Sequence, residues 1–211
     1  MKGLILKDLY AMGSMYRNTL FSMTIVCLCF GLSLGAEGVA AATAIMCATM
    51  IVTTFALDER CGWPGFAAAL PVARKESVLA KYAVHVIYCF AGTTLGFVFS
   101  IFVNIFGKSK VGFGGLGICA IVSFGISMLF GFVIIPIMFR FGAEKARFIM
   151  MAVIALPTIA VYFLADKVNL GGIVLTDMGI KLLYAAVVIG FILIGLASCA
   201  ISVKVYAKKE F

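Results

Sequence analysis

The chain is 211 residues long, 64% hydrophobic and only 12% charged. A soluble domain runs at roughly 45–50% apolar, and a chain of this size has no single core large enough to hide the excess, so a soluble globular domain is excluded and an integral membrane protein is implied. The net charge of +8 does not point to nucleic acid, because the Lys and Arg residues lie at the ends of apolar runs rather than along one basic stripe.

Residues Met1 to Arg17 come first. Met1, Leu4, Ile5, Leu9, Met12, Met15 and Tyr16 recur at helical spacing, which predicts an amphipathic helix lying in the membrane interface over 1–17. Long apolar runs then predict six spans of about the length a bilayer requires, near 18–34, 39–57, 82–106, 113–139, 148–164 and 182–203. The fold class is therefore an all-α polytopic membrane protein of six transmembrane helices, a single domain over 1–211. Span two carries Ala40, Ala44 and Ala48, a small-residue ridge suited to close helix packing. Pro136 and Pro157 fall inside spans four and five, where each removes a backbone hydrogen bond and marks a candidate gating kink.

With six spans both termini share one side. That side holds Lys2, Lys7, Arg17, Arg60, Arg74, Lys75, Lys81, Arg140, Lys145, Arg147, Lys204, Lys208 and Lys209, and the other holds Lys108, Lys110, Lys167 and Lys181. The excess of positive charge places both termini in the cytoplasm of a plasma-membrane protein.

Catalytic and metal chemistry find little to work with. His85 is the single histidine, which argues against a His-rich metal site or a membrane metalloprotease. It is read as a packing residue before a proton relay. The seven cysteines form no C-x-x-C pair and read as small apolar packing residues. No Walker motif G-x-x-x-x-G-K-[ST] occurs, so the chain itself is not expected to hydrolyse ATP. Gly112–Gly117 spells G-x-G-x-x-G, but it leads into a membrane span rather than closing a strand–helix unit, and a tightly packed helix start is the better reading.

The segment Asp58–Lys81 is the longest polar stretch and holds the single tryptophan. A bare connector has no need of Trp63, Phe66 and Leu70 among acidic and basic residues. The opening Met1-Lys2-Gly3-Leu4-Ile5-Leu6-Lys7-Asp8-Leu9-Tyr10, together with Asp58-Glu59, Trp63 and Leu70-Pro71-Val72-Ala73-Arg74-Lys75-Glu76 up to Lys81-Tyr82, resembles small ABC-2 type transporter permeases.

The resemblance implies a permease subunit of an ATP-binding cassette exporter, paired with a second permease copy or paralogue and with a separate ATPase that carries ATP and magnesium. It implies an N-terminal interfacial elbow over 1–17 and a cytoplasmic coupling loop over 58–81 that contacts the ATPase through Asp58, Glu59, Trp63, Phe66, Arg74 and Glu76. The cargo class it suggests is hydrophobic or amphipathic: a peptide, an antibiotic or a lipid-like molecule. The chain has Ala73 where such permeases commonly have Ser or Thr, so the helix that follows starts without about 1 kcal/mol of capping. A substrate-binding membrane subunit of an ATPase-driven vitamin importer and a non-transport membrane adaptor are the alternatives.

Overall fold

A backbone surrounded by hydrocarbon must satisfy its own N–H and C=O groups, and a helix does this within one segment. Every element in the computed structural model is accordingly a helix. The backbone is described for residues 2–13, 16–69, 73–106, 112–165 and 177–207, and side chains for these apart from most of 16–34, 68–69, 147, 150 and 152–188. The order is α1 (Lys2–Gly13), α2 (Tyr16–Ala48), α3 (Met50–Arg60), α4 (Trp63–Ala69), α5 (Arg74–Phe106), α6 (Phe113–Ala165) and α7 (Asp177–Ala207), with no strand among the described residues. Leu70, Pro71 and Val72 of the polar segment and most of the loop expected over 165–181 lie outside the described residues.

Among the described residues four stretches are long and apolar enough to cross a bilayer: Gly35–Arg60, Arg74–Phe106, Phe113–Ala146 and Ile189–Ala207. The first joins the end of α2 to α3 through Thr49, whose φ of −68° and ψ of −14° stay close to helical. The remaining expected spans, near 18–34 and 148–164, fall in the first part of α2 and the last part of α6.

The short loops expected between spans one and two and between spans four and five contract to one glycine each. Gly35 (φ 71°, ψ −166°) interrupts α2 and Gly142 (φ 81°, ψ 170°) interrupts α6. Both lie in a backbone region open essentially to glycine alone. The non-helical position in α6 is thus Gly142 rather than Pro136 or Pro157. Proline removes a donor but keeps φ near the helical value, whereas glycine can leave the helix altogether.

Close approach holds α2 to α5. Ala40, Ala44 and Ala48 are buried, and the surface opposite them is glycine: a Cβ on Gly92 would sit 2.4 Å from Cys47 Cβ, and one on Gly96 2.9 Å from the Ala40 carbonyl. Ser100 Oγ adds a hydrogen bond of 2.8 Å to the Ala36 carbonyl across the same seam. On the other side of α5, Tyr82 Oη lies 2.6 Å from Ser198 Oγ and 2.9 Å from Ser202 Oγ of α7. Interhelical hydrogen bonds of this kind hold membrane helices together where lipid removes the hydrophobic drive.

Two readings change at the helix starts. The stripe of α1 expected to face the membrane faces the bundle instead: Ile5, Leu9 and Met12 pack on the core formed by Ile51, Phe55, Val78, Met138 and Phe139. Leu6 and Tyr10 are the large apolar side chains of α1 left exposed. At the start of α6, a Cβ on Gly112, Gly114 or Gly117 would meet open space, so no described neighbour in this chain packs closely on these glycines.

Candidate functional site

The helix ends that carry the charges converge at one end of the bundle. α3 stops at Arg60, α4 follows after the Cys61–Gly62 turn, and α5 begins at Arg74. The backbone N–H of Glu76 donates to the Ala73 carbonyl at 2.9 Å, so Ala73 occupies the capping position of α5 and offers no side-chain oxygen there.

Four charges of alternating sign form a ring at this corner. Lys7 Nζ lies 3.1 Å from Asp8 and 2.6 Å from Asp58, and Lys81 Nζ lies 2.8 Å from Asp8 and 2.6 Å from Asp58. Each charge has two opposite neighbours, and the ring is neutral overall. It joins three elements, because Lys7 and Asp8 come from α1, Asp58 from the end of α3 and Lys81 from the first turns of α5. The side chains of Asp8 and Lys81 are only 3% and 8% exposed. Charges so far from water survive only when paired closely.

Aromatic faces complete the surroundings. Lys7 Nζ sits 4.0 Å from the centre of the Trp63 ring, and Lys81 Nζ sits 4.9 Å from that of Phe55; both lie within the ~6 Å reach of a cation–π contact. Phe55 meets Phe139 edge to face at 4.9 Å, and Phe139 meets Tyr206 of α7 at 5.1 Å. A cleft of about 50 Å³ opens beside the ring between Leu4, Trp63, Ser77, Met138 and Tyr206, enough for a few waters at roughly 10–15 Å³ each.

Glu59, next to Asp58, reaches a different element. Its Oε1 accepts the backbone N–H of Ala143 at 2.8 Å, so it caps the part of α6 that restarts after Gly142 and places a carboxylate at a positive helix end. Arg74 works in the opposite sense: its Nη1 donates to the Ala207 carbonyl at 2.5 Å, at the C-terminal end of α7, where a cation is favourable.

The six residues expected to face a partner are thus distributed unevenly. Asp58 is engaged in the ring, while Glu59 and Arg74 are solvent-exposed yet hold other helices of the same chain. Trp63 is half-buried under Lys7, and Glu76 lies in the first turn of α5. Phe66 is 59% exposed and leans on Trp63 with ring centres 5.6 Å apart.

Sequence reasoning used Lys7, Asp8 and Lys81 for topology and family resemblance and missed their mutual pairing. Asp8 carried a signal, since it follows Leu4 and precedes Met12 by four residues each, a carboxylate on the packed face of an amphipathic helix. Gly142 carried none. His85 is fully buried, with Nε2 3.2 Å from the Ser127 carbonyl and 3.3 Å from Cys89 Sγ, one helical turn along α5 from Lys81. Among the described residues no group of three or more His, Cys, Asp or Glu is placed to hold a metal ion.

The Gly142 break and its cap invite a direct test. Gly142→Ala must adopt a φ of 81° and bring its Cβ to 2.7 Å from Glu59 Oε1. Backbone strain of this kind costs about 1–3 kcal/mol, and displacement of Glu59 removes a cap on top of it. A clear fall in the thermal midpoint of the detergent-purified protein is expected, measured by loss of the monodisperse gel-filtration peak; an unchanged midpoint would show that the break relaxes freely.

Comparison with curated proteins and with solved structures gives no match. A family model described as ABC-2 family transporter protein matches residues 3–207. That range takes in the charged corner and reaches from α1 to the end of α7; the chain belongs to the ABC-2 family of transporter membrane proteins, a transport subunit rather than a catalytic one, whose family in general implies an ABC ATPase as partner.

Proposed function

We propose that the chain is the permease subunit of an ATP-driven exporter, with six spans, both termini in the cytoplasm, and a second permease copy or paralogue across a cargo path. ATP and magnesium belong to a separate ATPase. The cargo is hydrophobic or amphipathic, in keeping with the chain's apolar, phenylalanine-rich spans.

The observation that carries this reading is the placement of α4. It lies at the corner where α3 meets the break in α6 and α5 meets the end of α7, with Ala67 buried and Phe66 facing outward. A partner that grips α4 therefore pushes on several helices at once. In this reading Phe66 and Trp63 form the apolar anchor, and Glu59, Arg74 and Glu76 form a charged rim. Asp58 supports them from behind. The outward Leu6 and Tyr10 of α1 meet the membrane interface.

The test is retention of an ATPase by the tagged chain in mild detergent. Phe66 is exposed, so Phe66→Asp leaves the membrane fold intact, and its gel-filtration profile serves as the control. ATPase retention is expected to fall by about tenfold or more, the size typical of losing an interface anchor. Full retention by this variant would remove α4 from the interface, and an ATPase-free preparation of the unaltered chain would overturn the permease reading itself.

A further inference from the structure

We infer that α1 is a moving part of the coupling element, joined to α3 and α5 through the ring of Lys7, Asp8, Asp58 and Lys81 so that the three travel as one rigid body. This inference rests on the permease reading for the source of the motion, but the joint itself belongs to this chain.

Three observations support a joint rather than a simple packing contact. First, the ring's partners come from three separate elements, and each charge is held from two sides at 2.6–3.1 Å. A single ion pair leaves a hinge, whereas a closed ring of four fixes the relative position of all three elements. Second, the ring is largely withdrawn from water at Asp8 and Lys81, so separating its members exposes charges to a medium that solvates them poorly. Opening is resisted, and the elements shift together more easily than they shift apart. Third, Lys7 also sits on Trp63, the first residue of α4. Displacement of α4 thus pushes on α1 directly through an aromatic face as well as through α3.

α6 is tied differently. Met138 and Phe139 before the Gly142 break, and Ala143 and Ala146 just after it, pack in the same core as Phe55 and Val78, Glu59 accepts the Ala143 N–H, and no ion pair of the ring reaches α6. The Gly142 break, where the backbone leaves the helix, is therefore the place at which the later part of α6 turns relative to the rigid body. α1 would then carry the coupling movement out to the membrane surface, where Leu6 and Tyr10 are exposed.

Distances between spin labels test this in the complete complex with its ATPase, with the exposed Cys29 and Cys61 replaced by Ser. Labels go at exposed positions: Tyr10→Cys on α1, Lys75→Cys on α5 and Phe148→Cys on α6 beyond the break. The Tyr10–Lys75 distance is expected to stay within its own distribution width between nucleotide-free and ATP-trapped states, while the Tyr10–Phe148 and Lys75–Phe148 distances change together. In Asp8→Asn, Lys75–Phe148 is expected to keep its nucleotide response while Tyr10–Phe148 loses it, a separation that general destabilisation does not produce. If that variant fails to fold, Asp8→Leu with Lys81→Met replaces it: it removes the α1–α5 pair without leaving a lone buried charge, and the same separation of the two distances is expected.

A Tyr10–Lys75 distance that shifts with nucleotide overturns the proposal, as does an Asp8→Asn variant whose α1 still follows α5. If no ATPase is retained, the permease reading fails on its own. The joint is then judged in the isolated chain, where a narrow Tyr10–Lys75 distribution that broadens in Asp8→Asn supports it and an equally broad one in both overturns it.

Discussion

Asp8→Ala is expected to destabilise the protein by about 3–5 kcal/mol, the range for removing one partner of a buried ion pair. The reason is the charge left behind. Lys7 and Lys81 would share Asp58 alone, and Lys81, with a side chain 8% exposed, would keep a largely buried positive charge with half its pairing gone. The attraction lost is the smaller part of the effect; the uncompensated charge is the larger. A control separates the two. Asp8→Leu combined with Lys81→Met removes one charge of each sign and leaves Lys7 paired with Asp58 at 2.6 Å, so the double variant is expected to be far more stable than Asp8→Ala and close to the unaltered protein, since apolar replacement of a whole buried pair is often neutral or better. Thermal or denaturant unfolding in detergent reads both. If Asp8→Ala unfolds at the same point as the unaltered protein, the ring contributes nothing and the rigid joint has no energetic basis.

The second large effect is steric and lies within the membrane. Gly131→Ala places a Cβ 1.9 Å from His85 Nε2 and 2.2 Å from its Cδ2, inside the ring of a side chain that is fully buried. Alanine favours a helix over glycine by about 1 kcal/mol, but overpacking of this severity costs typically 1–3 kcal/mol and more where neighbours cannot yield. His85 is held by the Ser127 carbonyl and Cys89, so it cannot yield without losing those contacts, and a net loss is expected. His85→Ala alone should also destabilise, by opening a cavity. Together the two changes make room for each other, so the double variant is expected to lose less than the sum, with a coupling of about 0.5–3 kcal/mol. Strict additivity in a double-mutant cycle would mean that α5 and α6 separate rather than that Gly131 accommodates His85.

What the sequence revealed follows from which forces act locally. Apolar runs bounded by charge report the bilayer's demand on single segments, so the helical class and the regions of four spans were legible. So was the Ala40–Ala44–Ala48 ridge, because small residues at helical spacing mean close approach whatever lies opposite; that Gly92 and Gly96 lie opposite needed the structure. The breaks at Gly35 and Gly142 were not legible, since a glycine inside an apolar run looks the same whether it packs, bends or leaves the helix. The chemistry of the corner was half legible. Asp58, Glu59, Trp63 and Arg74 stood out by composition and resemblance, but composition cannot distinguish a charge that faces outward from one that holds a distant helix. Asp58 turns to Lys7, Glu59 to Ala143 and Arg74 to Ala207, all pairings between remote parts of the chain. The stripe of α1 was identified correctly, and its direction was not: Asp8 sits within it because the surface it meets is charged as well as apolar.

The ring also has a consequence for synthesis. Lys7 and Asp58 are 51 residues apart in the chain, and Lys81 comes later still. At about 5–20 residues per second, α1 waits roughly 3–10 s before the Asp58 partner of Lys7 is made. During that interval Lys7 and Asp8, adjacent and 3.1 Å apart in the finished fold, can neutralise one another at the lipid headgroups. α1, made before the elements it joins, is therefore seated only after them, and its seating reports that the α3–α5 corner has formed.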